Sequence, residues 1–183
     1  MKTTQLCKAA LAAWALCAAA GSFGATMSKS EYTAAKDRIE ADYKADKEAC
    51  GKFSGNAKDI CQEQATGKEK VALAEVEYSY SGKPADGTKV SIAKADATYA
   101  VAKEMCDDKS GNAKDVCVSE AKAAHTKALT DARLTEKVGE ARKDAAQDKN
   151  DADYKVATEK CESLAGDAKA ACVSAAKARY NKS

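Results

Sequence analysis

Cys106-Asp107-Asp108-Lys109-Ser110-Gly111-Asn112-Ala113-Lys114-Asp115-Val116-Cys117 is one of three near copies of a single unit in this chain. The first copy runs from Cys50 to Cys61 around Ser54-Gly55-Asn56-Ala57-Lys58-Asp59, and the third from Cys161 to Cys172 around Ala165-Gly166-Asp167-Ala168-Lys169-Ala170. In each, a glycine (Gly55, Gly111, Gly166) is followed by Asn56, Asn112 or Asp167 and then by helix-favouring residues. Glycine tolerates the left-handed backbone that closes a helix, and Asn or Asp accepts hydrogen bonds from the free N–H groups of the next helix's first turn. The unit therefore predicts a helix stop followed at once by a helix start, so that the chain folds back as an antiparallel hairpin.

The two cysteines of each copy lie five residues before the glycine and five after the capping residue. In an antiparallel pair they share a height, about 8 Å from the turn, where alanine-rich helices approach closely enough for a disulfide. The expected pairs are Cys50–Cys61, Cys106–Cys117 and Cys161–Cys172. Buried free thiols are the alternative. A zinc site fits poorly, because structural zinc wants four ligands at short local spacings and His125 is the single histidine of the chain.

The match extends outward. Tyr43, Tyr99 and Tyr154 each precede the first cysteine by seven residues, and Glu48, Glu104 and Glu159 precede it by two. Seven residues is two helical turns, which puts tyrosine and cysteine on one face. Gly67, Ala123 and Ala178 follow the second cysteine by six and are the expected small residues opposite the tyrosines. The tyrosines read as core filling with the hydroxyl reaching water, against an aromatic contact stripe as the functional alternative.

At the start of the chain, Lys2 and Lys8 precede an apolar run from Ala9 to Ala20, with Ser22 and Gly24 after it. This reads as a secretory signal peptide over 1–24; cleavage after Ala20 competes, and lipid attachment at Cys17 is a third option. Its removal takes away Cys7 and Cys17, leaving the six paired cysteines, and brings the formal charge from +2 to zero. Charges so evenly mixed argue against a nucleic-acid partner or charge-driven membrane binding. The disulfide pattern and the leader together point to the periplasm or the exterior.

The mature part, 25–183, reads as three repeats: about 28–80, a loop at 81–87 holding Pro84, about 88–138, and about 140–181. Ser28 with Glu31 forms a capping box, with Met27 and Tyr32 placed as a staple. Helices are expected from about 57 to 80, 88 to 109 and 168 to 180, and from 113 to 162 a helix with a break or kink possible at Gly139. Large apolar side chains are few, so the core is expected to be thin and the fold to depend on its oxidised cysteines. The expected fold class is all-α, with three disulfide-stapled hairpins in an elongated bundle.

The repeated wording at 111–122, with its copies at 55–61 and 166–177, resembles a group of small secreted Gram-negative proteins, some described as cell-envelope or TolA-like. The TolA likeness rests on Ala-Lys-Glu-Asp helical composition, without a transmembrane anchor of the TolA kind. The resemblance implies an envelope-associated protein and supplies no catalytic residue.

Three functions follow for comparison. A non-catalytic helical module offering a long surface to an envelope protein or to itself is the leading one, since repeats without chemistry usually scaffold. A periplasmic holdase chaperone is the second, although the Leu-Thr-x-x-Gln signature of small helical chaperones is absent: Leu129-Thr130 and Leu134-Thr135 lead to Arg133 and Val138. An enzyme or redox carrier is the third, disfavoured because redox-active cysteines usually stand as C-x-x-C. No cofactor or metal is expected. His125 reads as a solvated helix residue, and Asp107-Asp108 and Asp151/Asp153 as solvated charge without an EF-hand pattern.

Overall fold

The computed structural model describes residues 27–183. Among them there is no strand, and the chain forms five α-helices: α1 (Lys29–Ala49), α2 (Asn56–Ser81), α3 (Pro84–Cys106), α4 (Gly111–Cys161) and α5 (Gly166–Arg179), with a single 3-10 turn at Cys50–Lys52. All three cystines are present, with Cα–Cα separations of 5.6, 5.7 and 5.7 Å for Cys50–Cys61, Cys106–Cys117 and Cys161–Cys172. Each closes a hairpin, as the repeated unit requires. The signal peptide read at 1–24 lies outside the described residues.

The first helix starts as expected. Ser28 Oγ accepts from the Glu31 N–H at 3.3 Å while Glu31 Oε2 accepts from the Ser28 N–H at 2.8 Å, completing the capping box. The Ser28 hydroxyl also donates to Glu31 Oε2 at 2.6 Å, and this bond, with the one from the Ser28 N–H, favours the ionised carboxylate and lowers the Glu31 pKa.

The turns differ from the expected stop-and-start. The leading helices end at or beside the first cysteine, before the glycine, and Phe53, Lys109 and Leu164 each donate their N–H to the carbonyl of Cys50, Cys106 or Cys161 at 3.0–3.1 Å. The glycines mark the start of the following helix, at φ +57, +56 and +55 for Gly55, Gly111 and Gly166. Gly55, at ψ −149, lies in a region essentially closed to other residues. Asn56, Asn112 and Asp167 are therefore already inside their helices, and no side chain caps the start of α2, α4 or α5. The expected Asn and Asp caps are corrected on this point. Clamping comes from the loop instead in two copies, where Lys114 pairs with Asp107 at 2.9 Å and Lys169 with Glu162 at 2.7 Å. In the first copy Gly51 stands where these acids would be.

The loop expected at 81–87 narrows to Gly82 and Lys83. Pro84 occupies the first turn of α3, where its missing N–H would have no helical partner, so it begins the helix rather than interrupting one. Asp86, 6% exposed, accepts from Lys89 Nζ at 2.8 Å and from Ser81 Oγ at 2.5 Å, which holds its carboxyl below the usual range. Gly87 leaves room for the Tyr78 ring, whose Cζ would stand 3.2 Å from an added Cβ.

Packing runs strictly along the chain: α1 on α2, α2 on α3, α3 on α4, α4 on α5, with no contact between helices further apart in sequence. The elongated bundle is thus one helix thick. Gly139 does not break α4, whose 51 residues extend about 75 Å and outrun α3. Residues 137–149 of α4 are exposed on every side, and beyond them α5 packs against the helix end. The buried apolar residues are Cys50, Ala65, Ala95, Cys106, Ala132, Cys161 and Ala176, a core of alanines and sulfurs. Burial of such small groups contributes little, and the staples carry correspondingly more of the stability.

Candidate interaction face

The repeated tyrosines are half-buried, as core filling requires, but their partners are not those expected. Tyr99 stacks on His125, ring centroids 4.6 Å apart and planes inclined by 14°. Tyr154 meets Tyr180 edge-on at 6.2 Å, and Tyr43 shares a furrow with Glu69. Glu69, His125 and Tyr180 all follow the second cysteine by eight residues, two further than Gly67, Ala123 and Ala178. Gly67 instead faces the other neighbour: a Cβ there would stand 2.7 Å from Ala97 Cβ, so α2 and α3 approach closely at this point.

His125 is corrected with them. Its side chain is 19% exposed, and Nε2 lies 2.6 Å from Asp96 Oδ1 on α3. The residue joins α3 to α4 by stacking and by a hydrogen bond, so it is not a solvated helix position. Asn56 also bridges hairpins, its Nδ2 donating to the Glu104 carbonyl at 2.9 Å. At the far edge Tyr32 donates its hydroxyl to Glu77 at 2.7 Å, which raises the phenol pKa.

Alanine contacts bring the helices close and leave shallow furrows, since no large side chain fills the space above the contact line. The furrow between α2 and α3, about 420 Å³, is lined by Gln64, Gly67, Ala97, Val101 and Met105, and the furrow between α3 and α4, about 320 Å³, by Ala95, Tyr99, Ala121, Ala124 and His125. Thr98 and Ala102, one turn apart on α3, line both. A third furrow between α1 and α2, with Phe53 at its end, shares Gln64 and Lys68 with the first. Together they form one corrugated face across the four helices. Met105 stands on it 55% exposed and Phe53 43% exposed.

The described residues hold no group of three or more His, Cys, Asp or Glu arranged for a metal ion, and no helix among them is long and apolar enough to cross a membrane. The paired acids singled out in the sequence are engaged singly: Asp107 with Lys114, and Asp151 with Lys182 and Gln147. The turn residues Gly55, Asn56, Gly111, Asn112, Gly166 and Asp167 shape the hairpins and are not brought together into one site. Set beside protein-family models, curated proteins and solved structures, the chain matches none.

Proposed function

We propose that the chain is a non-catalytic, disulfide-stapled helical repeat protein of the periplasm or cell envelope, which presents the corrugated face of α1–α4 to another envelope protein or to a second copy. The observation that supports this reading is the continuity of the furrows over Thr98 and Ala102. An open, mostly apolar surface three furrows wide suits another polypeptide better than a small molecule, which prefers an enclosed pocket. Three cystines suit an oxidising compartment.

A photocrosslinking residue placed at Thr98, with a control at Glu140 on the bare part of α4, tests the reading in the exported protein. A discrete adduct from position 98 and none from position 140 supports it. Equal capture at both, or no adduct at position 98, overturns it. The holdase alternative uses the same exposed apolar face, and it predicts suppression of aggregation of an unfolded client, reduced by Met105→Asp. A discrete partner without client protection favours the scaffold.

A further inference from the structure

The three cystines are built alike. The first cysteine of each, Cys50, Cys106 or Cys161, is at most 1% exposed, and the second, Cys61, Cys117 or Cys172, is partly exposed in the following helix. Their surroundings differ. Cys50–Cys61 ties α2 to α1, a helix of 21 residues that packs on α2 alone, and Cys106–Cys117 ties α4 to an α3 that also packs on α2. Cys161–Cys172 ties α4 to α5, a helix of 14 residues whose one packed neighbour is α4.

Little besides the sulfur bridge holds α5. It buries one residue, Ala176, and at 14 residues it is the shortest of the five helices; α1 buries none but has 21 residues along which to pack. Beyond Ala176, Lys169 pairs with Glu162 of the turn at 2.7 Å, Asn150 Nδ2 donates to the Tyr180 carbonyl at 3.0 Å, Tyr154 meets Tyr180, and Lys182 pairs with Asp151. A helix this short is marginal in water by itself, and an ion pair near the surface contributes little. The ease with which a disulfide is reduced follows the stability of the structure that keeps its two thiols together.

We propose that Cys161–Cys172 is a redox latch, opened selectively by a dithiol reductant, whose opening frees α5 and uncovers the side of α4 around Asn150 and Tyr154 while the α1–α4 strip stays folded. One thiolate of the dithiol attacks Sγ of Cys172, the less buried residue of the pair. The S–S bond breaks and its electron pair leaves on Cys161, which takes up a proton; the Ala157 carbonyl, 3.3 Å from that sulfur, is in place to accept the new thiol's hydrogen bond. The second thiolate then attacks the reductant's own sulfur in the mixed disulfide. This releases Cys172, which is protonated in turn, and leaves the reductant as a disulfide, two electrons having passed to the cystine. Oxidation reverses the sequence and closes the hairpin.

The test titrates the full oxidised chain with dithiothreitol under native conditions, traps freed thiols with iodoacetamide, and reads the pairs by peptide mass mapping alongside amide hydrogen exchange. Cys161 and Cys172 are expected to be alkylated at a reductant concentration about tenfold below that needed for the other pairs. Amides of 166–179 should then lose protection while those of 56–81 and 84–106 keep it. Simultaneous loss of all three pairs, earlier loss of either of the others, or an α5 that stays protected after alkylation overturns the proposal.

Discussion

Tyr99 of α3 lies flat on His125 of α4, and His125 turns its Nε2 to Asp96 of α3, so one imidazole is held by two residues of the facing helix. Aromatic contacts of this kind contribute about 0.5–1.5 kcal/mol beyond the area they bury. His125→Ala is expected to lower the unfolding free energy by about 1–2 kcal/mol. His125→Phe, which keeps a ring on Tyr99 and gives up the bond to Asp96, should lose less. Urea denaturation of both variants gives the comparison, and equal losses would place the contribution in the hydrogen bond alone.

Two glycines should respond in opposite directions to the same change. Gly111 has φ +56 with open space around it, so Gly111→Ala meets no neighbour but forces a side chain into left-handed backbone, at a cost of about 1–2 kcal/mol. Gly139 lies in the interior of α4, also in open space, and Gly139→Ala is expected to stabilise by up to about 1 kcal/mol through helix propensity. Thermal melts followed by circular dichroism should move down for the first and up for the second.

Close approach at Gly67 gives a third expectation. Gly67→Ala places a Cβ 2.7 Å from that of Ala97, and α2 must move away from α3, costing about 1–3 kcal/mol. Ala97→Gly removes the colliding atom. The double variant should therefore be more stable than the two separate losses added together, by at least about 0.5 kcal/mol in a double-mutant cycle.

Acid should loosen the α2–α3 turn. The Lys89 ammonium and the Ser81 hydroxyl hold the Asp86 carboxyl below its ordinary value, so the folded pKa lies under the unfolded one. The stabilisation is complete above the unfolded pKa and is lost as pH falls through the folded one, below about pH 4. Melting midpoints measured between pH 7 and pH 2 should fall at the acid end, and Asp86→Asn should flatten part of that fall. An unchanged acid limb in the variant would assign it to other carboxylates.

The sequence by itself determined what short-range chemistry can decide. Gly55, Gly111 and Gly166 mark turns because few other residues accept that backbone, Ser28 and Glu31 cap α1 because they stand three apart, and cysteines separated by one tight turn meet whatever the rest of the chain does. Tertiary structure decided the register between helices. The leading helices stop at the cysteine and not at the glycine, so the tyrosines meet residues eight positions past the second cysteine, and Asn56 is free to bridge to Glu104 rather than cap its own helix. It also decided that the hairpins lie side by side in a single row. How far two helices slide before they lock depends on which small residues let their backbones touch, as Gly67 and Ala97 do, and that is a property of two segments brought together in space, which neither carries alone.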